Sequence, residues 1–562
     1  MREAWRLRIG PLRAWRFPVC LPPWGVRTGL IVGLIAWGGF FTLYGIDTGP
    51  LYRTEALRAV VARCCWQEGC WLYPVLYGEP FLTKPPGHYL AIVLCSLPWG
   101  EVTEVSARLP SVVAAWSVLA ACFLLWHREG FTAWGVGGVL ALPLSLLWLD
   151  KVPSAEIDMT LTAWVTLALA AWYRAQPRTS ESQAAAPNSK EPVASTIGKT
   201  ASRPAWHRGY LALSAFCLAA GTLTKWTAPA FFLLTITSFA WGSGQWRLWR
   251  CWAPWFALVL AAGLCLLWAG AVMQAVGPET FLQTLRQEAA YRLLPQGSRS
   301  GRSLLEGLAF PLRVGAALLP LSLPALLMLS PRYHRRLPPS ARRLALFLHC
   351  WVWPNLLFWT LVPNHNVRYV LPILPAMAGL GVLGGYLLLR DVVRRQAAQL
   401  RQCAKVSGMS GRCVPWGWRA NTQWLHRGWL ALLLGGVLAK VVFVEIVLPQ
   451  RAARRNPVPI AAELQTIVPE HETLYIDKLK DDGVLFYYAR PVRRWRGNFP
   501  LAEGAYVALI AAEWEQWQQR GQGRLLARLH DQQGDPLILV QYQPRLETLR
   551  GAETSQRGDH TP

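Results

Sequence analysis

Apolar runs of roughly 17 to 25 residues recur along most of this 562-residue chain, and that is the length a helix needs to cross a hydrocarbon core about 30 Å thick. About eleven such runs can be read, starting near residues 28, 108, 132, 157, 209, 228, 252, 306, 345, 370 and 428. In lipid every backbone N–H and C=O must find its partner inside the segment, so such runs are read as helices rather than open sheet. The expected fold class is mostly α, a polytopic transmembrane helix bundle. With 53% hydrophobic residues, only 16% charged residues and 31 Trp, the chain lies outside the range of an ordinary soluble domain. The run from His88 to Trp99 is too short to cross, at about twelve residues between Pro85-Pro86 and a helix-breaking Pro98. It is expected to be a re-entrant or interfacial helix within the first outer loop.

The 57 Lys plus Arg against 32 Asp plus Glu would suggest nucleic acid in a soluble protein. Here the basic residues fall between apolar runs, and no RRM, helix-turn-helix or zinc-finger pattern accompanies them, so they read as loop charges that set membrane orientation. With the short run left out of the count, residues 1–27, the turn at Arg128, and residues 174–208, 244–251, 330–344 and 390–427 fall inside. They hold Arg6, Arg13, Arg174, Arg250, Arg336, Arg343 and Arg394 among others, while Asp47, Glu55, Glu156, Asp158 and Glu288 fall outside. This predicts a multi-pass protein of the inner (plasma) membrane. Residues 1–27 form a basic cytoplasmic N-terminus leading into an uncleaved signal anchor. The Ala-, Ser-, Pro- and Thr-rich stretch 176–204 is expected to be a disordered cytoplasmic loop.

Residues 28–448 form the expected membrane domain. From 449 to 562 the chain turns soluble, with strands expected at Thr473–Asp477, Ala505–Ala511 and Pro536–Tyr542 and a helix over Asp481–Ala489, followed by a disordered tail. This reads as a small extracytoplasmic α/β domain. Of 12 Cys, Cys64, Cys65 and Cys70 lie outside, where either a disulfide or free thiols would suit them. No CxxC or Cys/His metal spacing occurs.

Three outer segments carry the chemistry. After the first run, Glu55 is followed by Arg58 and Arg63 at helical spacing, and Lys84 stands before Pro85-Pro86, whose backbone restricts its direction. Alone, Lys84 would read as a snorkelling anchor and Glu55 as part of a solvated juxtamembrane helix. The second segment, Lys151 to Met159, sets Glu156 and Asp158 at the start of an apolar run. Helix-start charge accounts for Glu156. It accounts less well for Asp158, which is followed at once by apolar residues and needs a protein-lined polar cavity. The third, Asn364-His365-Asn366-Val367-Arg368-Tyr369, brings donors suited to a phosphate, although an interfacial Arg/Tyr belt has the same composition. Lys225-Trp226 links two runs on the same side.

Taken together, Glu55 with its arginines, Gly69-Cys70-Trp71, Pro74, Gly78 through Lys84-Pro85-Pro86, and Ala107-Arg108-Leu109-Pro110-Ser111 resemble the first outer loop of the GT-C class of membrane glycosyltransferases. The likeness is to the branch holding the aminoarabinose lipid A transferases and the protein O-mannosyltransferases. Glu156-Ile157-Asp158, Gly221 to Lys225 and Arg368 to Pro372 extend it to roughly residues 28–390. The resemblance implies sugar transfer, with inversion, from a polyprenyl-phosphate donor to a lipid, protein or glycan acceptor on the extracytoplasmic face. The family usually carries an Asp-Glu pair after the first span, where this chain has Thr54-Glu55. The base is then Glu55, or Asp47 reaching in, or the Glu156/Asp158 pair. The acidic residue that often precedes the motif lysine is Thr83 here, which weakens any metal site borrowed from the family. No cofactor is assigned, and a divalent metal stays open.

Such a reaction needs a carboxylate near the acceptor and fixed positive charge for the leaving phosphate. Glu55 and Asp158 are assigned to the first task, and Lys84, Arg368, Lys225 and Arg58 to the second. Tyr369 and His365 are assigned to the sugar or acceptor. A transporter or flippase of an anionic lipid-linked substrate is the competing reading. It would place charges near the bilayer midplane and show symmetry between halves, and the sequence shows neither.

Overall fold

The computed structural model describes residues 24–128, 132–177, 206–245, 252–293, 304–363, 366–406, 414–530 and 536–543. Most of the expected N-terminal segment 1–27, all but the first two residues of the 176–204 loop, His365 and the tail after 543 lie outside the described residues.

Each expected run starts in or at the edge of a helical segment: Trp24–Leu43, Glu104–Arg128, Thr132–Ala141, Ile157–Ala175, Arg208–Thr224, Ala228–Gly242, Trp252–Val276, Leu304–Ala317, Pro339–Leu361, the 3-10 turn Val367–Ile373 leading into Leu374–Val406, and Val414–Val442. Among the described residues, five helical stretches are long and apolar enough to cross a membrane, and several shorter helices are apolar throughout. The chain is a multi-pass membrane protein.

The helix Ile157–Ala175 is buried along nearly its whole length, because it is wrapped by Glu104–Arg128 and Arg208–Thr224. An all-round apolar sequence suits such a central position. The third run breaks at Pro143 into Thr132–Ala141, the 3-10 turn Leu142–Leu144 and Leu146–Lys151. Proline lacks the N–H needed to continue the helix, and the break lets the chain turn toward Lys151, Glu156 and Asp158. The short run becomes the helix Gly87–Ser96 and the 3-10 turn Leu97–Trp99, stopped by Gly100 at φ 73°. His88 and Tyr89 are buried in it, while Leu94, Leu97 and Trp99 are exposed.

Among the described glycines, the closest approach to another segment's backbone is at Gly384, where an added Cβ would lie 2.0 Å from the Pro324 carbonyl oxygen. Backbone cannot yield as a side chain end can, so Gly384→Ala is expected to cost about 1–3 kcal/mol. Thermal unfolding of the purified variant should show a lowered midpoint, and an unchanged midpoint would contradict this packing.

The C-terminal region carries a five-stranded mixed sheet, ordered β4 (Val492–Arg494), β3 (Leu474–Ile476), β5 (Tyr506–Ile510), β7 (Pro536–Tyr542) and β6 (Gly523–His530). β3 runs parallel to both its neighbours, and the β5–β7 and β7–β6 pairs are antiparallel. The three expected strands and the helix, observed at Asp482–Tyr488, fall where the sequence places them. β4 and β6 escape that reading: β4 spans only three residues, and the alternation of β6 is broken by a bulge between Leu525 and Ala527.

This region packs directly onto the helix Thr54–Gln67. Ala56, Ala59 and Val60 share one apolar cluster with Leu464, Leu485 and Leu539. Arg63 donates to the Phe486 carbonyl oxygen at 2.7 Å and lies over the Phe486 ring. The Tyr487 hydroxyl accepts from Leu51 N at 2.8 Å.

Tyr77, from the small hairpin β1 (Val75–Leu76) and β2 (Glu79–Pro80), donates to Asp482 Oδ1 at 2.9 Å. Burial pushes the Asp482 carboxyl up to about 6 from an ordinary 3.8. A raised folded-state value means that the folded protein binds the extra proton. The contribution is thus complete below about pH 4 and is lost as pH rises through about 6, by up to roughly 3 kcal/mol. Asp482→Asn should flatten this slope and be the more stable protein at neutral pH. Unfolding midpoints at a series of pH values check it, and a variant that keeps the wild-type slope would refute it.

Candidate active site

Seven of the ten residues singled out from the sequence meet in one cavity of about 330 Å³: Arg58, Lys84, Glu156, Asp158, Lys225, Arg368 and Tyr369, with Thr54 and Ile157 completing the wall. Each comes from the end of an element. Arg58 lies one turn into the helix Thr54–Gln67, and Lys84 is held by the turn before Pro85-Pro86. Glu156 caps the helix Ile157–Ala175 and Asp158 sits in its first turn. Lys225 ends the helix Arg208–Thr224. Arg368 and Tyr369 belong to the 3-10 turn opened by Asn366, whose side chain accepts from Arg368 N.

Two contacts hold these ends in register. Gly87 lets the helix Gly87–Ser96 come so close that a Cβ would lie 2.8 Å from the Leu223 carbonyl oxygen, two residues before Lys225. His88 is fully buried, with Nε2 3.3 Å from the Ala155 carbonyl oxygen and Nδ1 2.9 Å from the Thr160 hydroxyl. Its pKa is pushed down to about 4 by burial, so it is neutral. Since the carbonyl only accepts, Nε2 carries the proton and Nδ1 accepts from the threonine. His88 thereby ties the lysine turn to the Glu156 segment.

Inside the cavity the charges interlock. Lys225 Nζ donates to Asp158 Oδ1 with both side chains buried, and Arg368 Nε lies 3.8 Å from Asp158 Oδ2. Arg368 also donates to Glu156 Oε1 at 2.7 Å, and the Thr54 hydroxyl donates to the same oxygen at 2.9 Å. Lys151 Nζ lies 3.1 Å from the other Glu156 oxygen. Lys225 Nζ sits 4.5 Å from the centre of the Tyr369 ring, a cation–π contact. Arg58 donates to the Tyr89 hydroxyl. Lys84 donates to the Thr83 carbonyl oxygen at 2.8 Å and to Glu288 at 3.0 Å. Four lining cations face two lining carboxylates. Counting Glu288 as well, a formal positive charge remains in a partly enclosed space, the condition for holding an anion such as a phosphate.

Glu55 does not join this cavity. One residue along the helix from Thr54, it points to a second cavity of about 940 Å³, where its Oε1 accepts from Ala155 N at 2.8 Å and Arg108 Nε lies 3.6 Å away. Burial raises the Glu55 carboxyl above its ordinary range, with Arg108 acting against that shift. Thr54 and Glu156 line both cavities and form the partition between them. Asp47 is exposed and lines neither. His365 lies outside the described residues. Cys64, Cys65 and Cys70 are free thiols. Among the described residues, no group of three or more His, Cys, Asp or Glu is arranged to hold a metal ion.

Thr54, Lys151, Arg108 and Glu288 belong to the two charge networks without having been assigned a role from the sequence. Lys151 and Arg108 stood inside quoted segments and had a signal. Glu288, on the helix Pro278–Leu293 far along the chain, had none.

The fold is that of the crystal structures of ArnT from Cupriavidus metallidurans. The form bound to undecaprenyl phosphate aligns with TM-score 0.63 and 17% identity over 91% of this chain and 98% of that chain. The apo form gives 0.61 and 17% over 92% and 98%. The archaeal oligosaccharyltransferase AglB from Archaeoglobus fulgidus, in complex with an inhibitory peptide and a dolichol-phosphate, is more distant, with TM-score 0.43 and 11% identity over 93% and 74%. No family model matches the chain, and no curated protein does.

Proposed function

We propose that this protein is an integral-membrane glycosyltransferase that moves a sugar from a polyprenyl-phosphate donor to a lipid, protein or glycan acceptor on the extracytoplasmic face of the inner membrane, within a bundle of about eleven spans. The observation that carries it is the cation-rich cavity walled by Glu156 and Asp158, on a fold shared with an ArnT whose crystal structure holds undecaprenyl phosphate.

Lys84, Arg368, Lys225 and Arg58 receive the donor phosphate. The prenyl chain lies against apolar helix surface, where burial gives affinity without directional contacts. Glu156, at the partition, serves as base: it takes the proton of the acceptor hydroxyl or amine as that atom's lone pair attacks the anomeric carbon. The bond from that carbon to the phosphate oxygen breaks, and its electron pair leaves with the polyprenyl phosphate, whose added charge the cations stabilise. Asp158 keeps Lys225 and Arg368 in place. Glu55, on the acceptor side, is the second carboxylate. Thr54, where the family usually has Asp, donates to Glu156 and so orients the base.

Binding of polyprenyl phosphate to the purified protein tests the assignment of the cations. Lys84→Ala and Arg368→Ala should each weaken it by roughly tenfold or more, because each removes a charge-assisted hydrogen bond. Wild-type affinity in both variants would move the donor site elsewhere. A flippase would also bind the lipid but would return the donor intact.

A further inference from the structure

The far end of the bundle from the charged cavities carries an apolar groove. The helix Leu374–Val406 starts just after Arg368 and Tyr369, and at 1.5 Å per residue Leu388 to Arg390 lie about 21 to 24 Å farther along it. There Gly385 and Leu388 form one wall of a groove of about 870 Å³, with Pro324 on a second and Gly428, Trp429 and Leu432 of the helix Val414–Val442 on a third. Every side chain lining it is apolar, and Leu388 and Leu432 stay exposed. Two glycines keep the furrow open. A Cβ on Gly428 would meet nothing within 4 Å, and one on Gly385 only the Pro324 Cβ at 3.9 Å. Helix packing accounts for Gly384, one residue away, but leaves these two without a packing role.

The same end is strongly basic. Arg390 directly follows Leu388-Leu389, and Arg427 directly precedes Gly428-Trp429. Residues 330–344, 390–395 and 427–432 hold nine arginines against one carboxylate, Asp391. Arg336 joins the first of these segments to the second by donating to both Asp391 oxygens at 2.6 Å. The groove thus ends at a level rich in guanidinium and poor in carboxylate, with Trp429, a ring type that favours the membrane–water interface, beside it.

We propose that this groove binds one anionic phospholipid from the leaflet that loop charge assigns to the cytoplasmic side, with its acyl chains along Gly385, Leu388 and Leu432 and its phosphate among the arginines at the groove's end, Arg390 and Arg427 first. Burial holds the chains, and each arginine near the headgroup adds about fivefold in affinity. A zwitterionic lipid gains the first contribution and little of the second. The bound lipid bridges the helix that begins beside Arg368 and the helix whose continuation supplies Leu448 and Arg451 to the second cavity, so it braces both. A transferase and a flippase would hold it alike.

The test takes the full-length protein, delipidated in detergent, and titrates it with phosphatidylglycerol or with phosphatidylcholine of the same acyl chains. Native mass spectrometry counts the retained lipid, and the unfolding midpoint is followed in parallel. One phosphatidylglycerol per protein is expected, held at least tenfold more tightly than phosphatidylcholine, with the midpoint rising as it binds. Arg390→Gln combined with Arg427→Gln should remove that preference and leave phosphatidylcholine binding as it is. Gly428→Leu fills the groove without touching a charge. Leucine is the better helix former, so this variant should unfold no lower than the wild type in the absence of lipid, yet lose the phosphatidylglycerol site. Equal affinity for the two lipids, or undiminished phosphatidylglycerol binding in both variants, overturns the proposal. One-for-one displacement of phosphatidylglycerol by polyprenyl phosphate overturns it too, because the groove would then hold the donor's tail.

Discussion

Glu156→Gln is expected to lower turnover by roughly 10²- to 10⁴-fold while leaving the donor KM nearly unchanged, the largest functional effect of any single substitution here. The amide keeps the size of the side chain and an oxygen to accept from Thr54 and Arg368, so the wall of the cavity stays in place. What disappears is the negative charge and the ability to take a proton. Glu55→Gln should act on the acceptor side with a smaller loss, since Glu55 lines only the second cavity. Steady-state rates over a range of donor concentrations separate the two. Normal turnover in Glu156→Gln with collapse in Glu55→Gln would move the base to Glu55.

The largest effect on stability is expected at the Asp158–Lys225 pair. Both side chains are buried, 3% and 4% exposed, so neither charge can turn to water when its partner is removed. Asp158→Asn or Lys225→Met alone should cost about 3–5 kcal/mol, most of it the penalty of an uncompensated buried charge. The double variant should recover a large part of that loss, because no charge is then left behind. Unfolding midpoints of the four proteins form a double-mutant cycle. Additive losses would mean that the two groups do not depend on each other.

The sequence was legible where physics leaves few choices. Apolar length announces a helix in lipid, and length and prolines marked His88–Trp99 as a short segment; the chain folds there into a ten-residue helix and a 3-10 turn. Six of the charged residues that loop polarity assigned to one side meet in one cavity, with Tyr369 beside them. What could not be read was the direction in which neighbouring side chains point. Thr54 and Glu55 are adjacent in sequence, yet a helical step of about 100° sends one to Glu156 and the other to Ala155 and Arg108. Asp47 looked close enough to reach in, but it stands exposed on the turn after the first helix. The Lys84–Glu288 pair links positions 204 residues apart, a contact no local pattern encodes. The same holds for the docking of Asp482–Tyr488 on the helix that carries Glu55. That contact makes the C-terminal region part of the support of the site.

The measurement that bears most directly on the account is mass analysis of the products formed when the purified protein is incubated with a polyprenyl-phosphate sugar and an envelope extract. The account predicts free polyprenyl phosphate released in step with a sugar newly attached to an acceptor, and both products reduced by roughly 10²-fold or more in Glu156→Gln. A donor recovered intact in the presence of wild-type protein, moved across the membrane or not, would contradict it.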